Sequence, residues 1–170
     1  MTLAQIRAWQ FTQLENNIQF TQLENNIQSI ERVIRMADPM AITTYRDGGT
    51  GWTALEILGH LNDFEAVFSE RVHVTVEQEN GALPFPQPDA LALEHQYNTL
   101  SVDALIESWK ARRAEHVAYL KARPDSDWDR VAIHPVRGPL SLFDQLTLET
   151  MHDTLHLEQM TRTLIEKRVG

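Results

Sequence analysis

His152 and His156 stand four residues apart in MHDTLHLEQM. On a helix that spacing puts both imidazoles on one face, one turn apart. Two imidazoles can grip a metal ion, but a working site needs a third protein ligand. The chain has no cysteine, so thiolate metal sites, disulfides and a cysteine nucleophile are excluded. The zinc-protease pattern H-E-x-x-H fits poorly: aspartate replaces glutamate, and no histidine follows His156. Glu166 lies close for a downstream third ligand, and only 14 residues follow His156.

The helix carrying the pair is expected to begin after Ser141, with Asp144 in its first turn to favour the helix dipole, and to run nearly to the end. On a wheel, Gln145, Glu149, His152, His156, Gln159 and Thr163 form one narrow polar strip. Leu148, Met151 and Leu155 flank it on one side. Leu142, Leu146, Leu157, Met160 and Leu164 flank it on the other. Thr147, Thr150, Thr154, Glu158 and Thr161 lie opposite and are expected to be wet. A polar line between two apolar stripes points into a bundle, where its imidazoles need partners.

The helix starting near Thr53 and running to about Glu77 offers the partner. Ile57, Leu61, Phe64, Phe68 and Val72 make its core stripe, and His60 sits at the stripe's edge. His60 is the natural third ligand for His152 and His156. Three neutral imidazoles suit Zn²⁺, Ni²⁺, Fe²⁺ or Cu²⁺, Mn²⁺ is a further candidate, and positions left to water would keep the ion reactive. A hydrogen-bonded core histidine is the alternative for each.

Four more residues are candidates around this centre. Arg71 lies three turns along the same line and could hold a carboxylate. Glu149, one turn before His152, could orient an imidazole or take a proton. Gln159 follows the pair on the strip, and Asp63 flanks His60 on its polar edge, as does Glu56. Each of the carboxylates could equally be plain surface. His73 falls on the outer side of its helix, His95 in an uncertain segment, His116 near a core stripe, and His134 in a loop that could close one end of the bundle.

Residues 10–18 repeat identically as 19–27. Apolar residues follow helical spacing in both copies: Phe11, Leu14, Ile18, then Phe20, Leu23, Ile27. Nine residues at about 100° each turn the second stripe about half a turn from the first. Ile30 and Ile34 continue the second stripe, so that copy is expected in the core. The first copy then extends outward, bulges, or packs on a partner chain. Loops are expected over 37–51, 80–90 and 123–139, with a short helix around 89–97 and a long one from Ser101 to about Ala122. Strand alternation is weak everywhere, WDRVAIH included. The 170 residues read as a single all-α domain, a four-helix bundle with an extended first helix. Net charge is −9, which argues against nucleic acid and anionic membranes as partners. The start lacks an apolar h-region and no run approaches a membrane span, so a cytoplasmic protein is expected.

GWTALEILGHLNDFEAVFSERV and DWDRVAIHPVRGPLSLFDQLTLETMHDTLHLEQM resemble the second-helix and last-loop-and-helix motifs of DinB/YfiT-like proteins. That resemblance implies a four-helix bundle with a divalent metal on His60, His152 and His156, and a homodimer. It implies an enzyme that activates a low-molecular-weight thiol, as an S-transferase, or water, as a hydrolase, toward a small-molecule substrate. The duplication departs from the family pattern and puts the usual dimer in doubt. A non-enzymatic metal-binding bundle, or an interaction protein working through its first helix, would also fit the sequence.

Overall fold

The computed structural model describes the backbone of residues 2–169 and the side chains other than those of residues 4 and 7–12. The side chain of Phe11 in the first repeat copy lies outside what is described. Four long helices dominate: α1 (Leu3–Met36), α3 (Ala54–Glu77), α5 (Val102–Lys121) and α6 (Leu142–Glu166). Between them run a one-turn helix α2 (Ala41–Thr44) and a short α4 (Pro88–His95). The starts of the site-bearing helices are fixed by reciprocal caps. Thr53 and Glu56 close a capping box on α3, and Ser141 with Asp144 does so on α6.

Two core clusters show how the helices run. Ile27, Ile30 and Ile34 of α1 meet Ile57, Leu58 and Leu61 of α3, Leu105, Ile106 and Trp109 of α5, and Met160 of α6 at one end. Phe20 and Leu23 meet Val72, Val117, Leu120, Leu142 and Leu146 at the other. Helices α1 and α6 are therefore parallel, and both oppose α3 and α5. Parallel α3 and α5 require a connection running the length of the bundle, and residues 78–101 supply it. Gly59 lets this crossover approach α3: a Cβ there would collide with the Tyr97 ring.

Three sequence expectations are corrected. Residues 123–139 hold half of a β-hairpin, β1 (Val131–His134) against β2 (Gly138–Ser141), where no strand was expected. Four-residue strands are too short for alternation to show, and Gly138 at φ +77° makes the turn. Thr150 is buried rather than wet, because α1 packs on that side and Asn26 Nδ2 donates to the Thr150 carbonyl at 3.3 Å. Met151 and Leu155, read as facing the interior, are 53% and 60% exposed. The polar strip thus lies at the edge of the buried face, not along its middle. The repeat behaves as its half-turn offset requires: Phe20, Leu23 and Ile27 are buried, whereas Leu14 and Ile18 are exposed. Among the described residues no helix is long and apolar enough to cross a membrane.

Candidate metal centre

His60 on α3 comes against His152 and His156 on α6. The Nε2 atoms of His60 and His152 lie 2.9 Å apart, and one nitrogen from each of the three rings falls within 4.8 Å of the others. His60 is buried, and the other two are half-buried. Aromatic rings enclose the cluster. Trp52 lies 4.8 Å from the His60 ring and stacks toward His156 at 6.3 Å, while Phe64 lies 4.2 Å from His60 and stacks on His152 at 5.5 Å.

This packing disfavours protonation of His60 and His156. Burial, with His152 and His156 adding to it, pushes the His60 pKa down to about 2. Burial and then His152 push His156 down to about 4, against the opposing hydrogen bond to Gln159. Neutral imidazoles with converging lone pairs are a metal donor set. The Nδ1 atoms of His60 and His152 are enclosed and have no hydrogen-bond partner. The nearest carboxylate oxygen recorded at His152 Nδ1 is Asp153 Oδ1, 3.5 Å away. Three facing nitrogens that cannot all satisfy one another fit a divalent cation in their midst.

Gln159 fixes the third ring. Nδ1–H of His156 donates to Gln159 Oε1 at 2.8 Å, and Gln159 Nε2 donates to Asp47 Oδ2 at 3.0 Å. Arg162 also donates to Asp47 through Nε and Nη2, both at 3.1 Å, which holds that carboxylate below its ordinary pKa. Gln159 therefore orients His156 and leaves its Nε2 free.

The other candidates are placed differently. Glu149 does not touch the three rings. Its Oε2 meets His116 Nε2 at 3.0 Å, and its Oε1 lies 3.5 Å from Arg113 Nη2. Asp63 accepts from Tyr97 Oη and pairs with His95 Nδ1, both at 2.6 Å, which ties the crossover to α3. Glu56 caps α3 and accepts from Asn98 and Arg46. Arg71 donates through Nε to the Pro84 carbonyl at 3.0 Å, away from the three histidines. His73 is paired loosely with Glu77 on the outside.

A charged core that sequence reasoning missed lies behind the centre. Arg113 donates through Nε to both Glu65 oxygens, at 2.9 and 2.8 Å, and through Nη2 to Asp153 Oδ2 at 2.9 Å. Trp109 Nε1 adds a bond to Glu65 at 3.1 Å. Burial disfavours charge on both Glu149 and His116, but their mutual attraction wins, lowering the acid's pKa and raising the base's. Glu65, His116 and Glu149 are close enough to share an ion, yet Arg113 already fills the space among the carboxylates. This network links α3, α5 and α6 and sets the rotation of the helix that carries His152. One signal was available: Asp153 falls on the same wheel face as Leu142, Leu146 and Met160.

A bundle of this topology with three converging imidazoles has a donor set that could hold a metal ion. Residues 22–160 match the DinB superfamily, and the chain belongs to it. A protein of Oceanobacillus iheyensis, named as a proposed metal-dependent hydrolase, is 25% identical over 76% of this chain and 73% of its own. Among solved structures, YfiT from Bacillus subtilis superposes with a TM-score of 0.81 at 20% identity, over 89% of this chain and 86% of that one. It is described as a probable metal-dependent hydrolase with an unusual four-helix bundle topology. The mycothiol-dependent maleylpyruvate isomerase superposes at 0.69 with 15% identity, over 85% of this chain. This chain spans 60% of that isomerase's length.

Proposed function

We propose that this protein is a divalent-metal-dependent enzyme acting on a small molecule, with His60, His152 and His156 as the metal ligands. The observation that carries the reading is the meeting of three imidazole nitrogens, two of them on rings whose basicity burial suppresses. Zn²⁺, Ni²⁺, Fe²⁺ and Mn²⁺ are the ions to test. A bound ion would supply a thiolate or hydroxide nucleophile near neutral pH by lowering the pKa of a coordinated thiol or water. The chain lacks cysteine, so a thiol would enter as a cosubstrate. The name of the Oceanobacillus relative favours water, and that of the isomerase favours a low-molecular-weight thiol.

The chain's own residues would divide the work as follows. Gln159 holds His156 in the tautomer whose Nε2 faces the centre. Trp52, Phe64 and Phe68 keep bulk water from one side of it. Glu149, paired with His116, places a buried carboxylate charge close behind His152. A screen of thiol transfer and of ester and amide hydrolysis, on protein loaded with each ion, tests the reading. Turnover lost in His60→Ala supports it. No turnover with any ion, in a protein that binds none of them, contradicts it.

The exposed Leu14 and Ile18 favour a second element of this reading, a homodimer through the outward repeat copy. A chain lacking residues 10–18 should run as a monomer in gel filtration while still binding metal.

A further inference from the structure

Arg71 is a buried cation with no carboxylate paired to it among the described residues. It is 8% exposed and donates one hydrogen bond, from Nε to the Pro84 carbonyl at 3.0 Å. That leaves four of its five N–H donors unused among the described residues. Its terminal nitrogens are not among the enclosed atoms that lack a partner, so they retain an opening to solvent.

Two more basic residues lie on the hairpin nearby, His134 buried and Arg137 exposed beside it. His134 on β1 is 5% exposed. Its Nδ1 accepts from the backbone N–H groups of Val136 and Arg137 at 3.1 and 3.2 Å, which fixes the ring and leaves Nε2 free. Phe85, beside Pro84, packs 5.0 Å from it. Arg71 and Arg137 both act, after burial, to suppress protonation of His134, and Arg137 does the same to Arg71. Glu149 acts on Arg71 in the opposite sense, but it is already held by His116 and Arg113. A buried cation near a second cation is unfavourable until an anion joins it.

The position of this cluster relates it to the three histidines. Arg71 Cζ lies 5.4 Å from the centre of the Phe68 ring, and Phe68 meets the His152 ring edge-on at 5.2 Å. Phe68 thus stands between the cations and the candidate metal centre. Arg71 is eleven positions on from His60 along α3, roughly 16 Å along the axis. The arginine side chain leans back toward the helix N-terminus, which shortens the gap to roughly 10 Å.

We propose that Arg71, Arg137 and His134 form an oxyanion subsite that holds the carboxylate or phosphate end of a molecule whose other end reacts at His60, His152 and His156. The proposal rests on the reading of those histidines as the reactive centre. The substrate or cosubstrate is then an elongated anion, with a middle apolar enough to lie along Phe68.

Calorimetric titration with octanoate, octyl phosphate and octan-1-ol tests this on the intact chain, since eight carbons span roughly the required distance. At least one anion should bind ten times or more tighter than the alcohol, and whichever binds tighter identifies the headgroup. That preference should fall at least fivefold in Arg137→Gln and vanish in Arg71→Gln, with alcohol binding unchanged. It should survive His60→Ala. Equal binding of anions and alcohol, binding of neither anion, or a preference that persists in both arginine variants overturns the subsite. Arg137 is exposed, so R137Q decides the matter if R71Q does not fold. Anion preference in a wild-type chain that takes up none of Zn²⁺, Ni²⁺, Fe²⁺ or Mn²⁺ would overturn the reactive-centre reading and the link to it, while leaving the anion contacts in place.

Discussion

Among the described residues His156 makes one side-chain hydrogen bond, the one it donates to Gln159. Gln159→Leu removes that acceptor without touching a proposed ligand. Metal affinity should fall by about 10- to 100-fold, with the fold intact, as measured by competition against a chromogenic chelator. Unchanged affinity would show that Gln159 does not position the ring. Protonation gives a second residue-scale expectation. His60 and His156 have folded pKa values of about 2 and about 4, below the ordinary 6.5 of the unfolded chain. Their neutral forms therefore favour the folded state fully above pH 6.5. As pH falls below 6.5 the unfolded chain takes up protons that the folded one refuses, and this contribution fades down to the folded values. Metal-free protein should show a falling urea midpoint between pH 6.5 and 4, and His60→Phe should flatten that slope.

Helix α6 is held in rotation by the charged core behind it. Arg113→Met leaves Glu65 and Asp153 buried without their cation, at a cost of about 3–5 kcal/mol. For a chain of this length that lowers the melting temperature by on the order of 10 °C. Gly59→Ala should also destabilise, because Tyr97 of the crossover occupies the space of a new Cβ. These elements show what the sequence could and could not convey. The long helices were legible because caps such as Thr53–Glu56 and Ser141–Asp144 bracket apolar stripes of period 3.6. His60, His152 and His156 were legible as one cluster because each sits at a stripe edge on a wheel. Arg113, Glu65 and Asp153 were not: a charged residue on an amphipathic helix reads as surface until its partners on other helices are known. The hairpin was hidden because pairing between Val131–His134 and Gly138–Ser141, rather than local alternation, makes it. Met151 and Leu155 misled for a related reason, since a wheel shows apolar stripes but not how much of each a neighbouring helix covers.

At the scale of the molecule, the parallel pair α1 and α6 and the long crossover leave the α3–α6 seam free to carry chemistry. One copy of the repeat, residues 19–27, supplies the buried side of α1, and the other adds length and exposed apolar surface. Deletion of residues 10–18 should therefore leave metal binding unchanged within twofold, and any loss of dimer would separate assembly from chemistry. The central claim is the three-histidine centre, and metal content tests it most directly. Mass spectrometry of purified protein, beside His60→Ala, His152→Ala and His156→Ala, should find about one divalent ion per chain, lost in all three variants. No ion in the wild-type chain, and none taken up from added Zn²⁺, Ni²⁺, Fe²⁺ or Mn²⁺, would contradict the account.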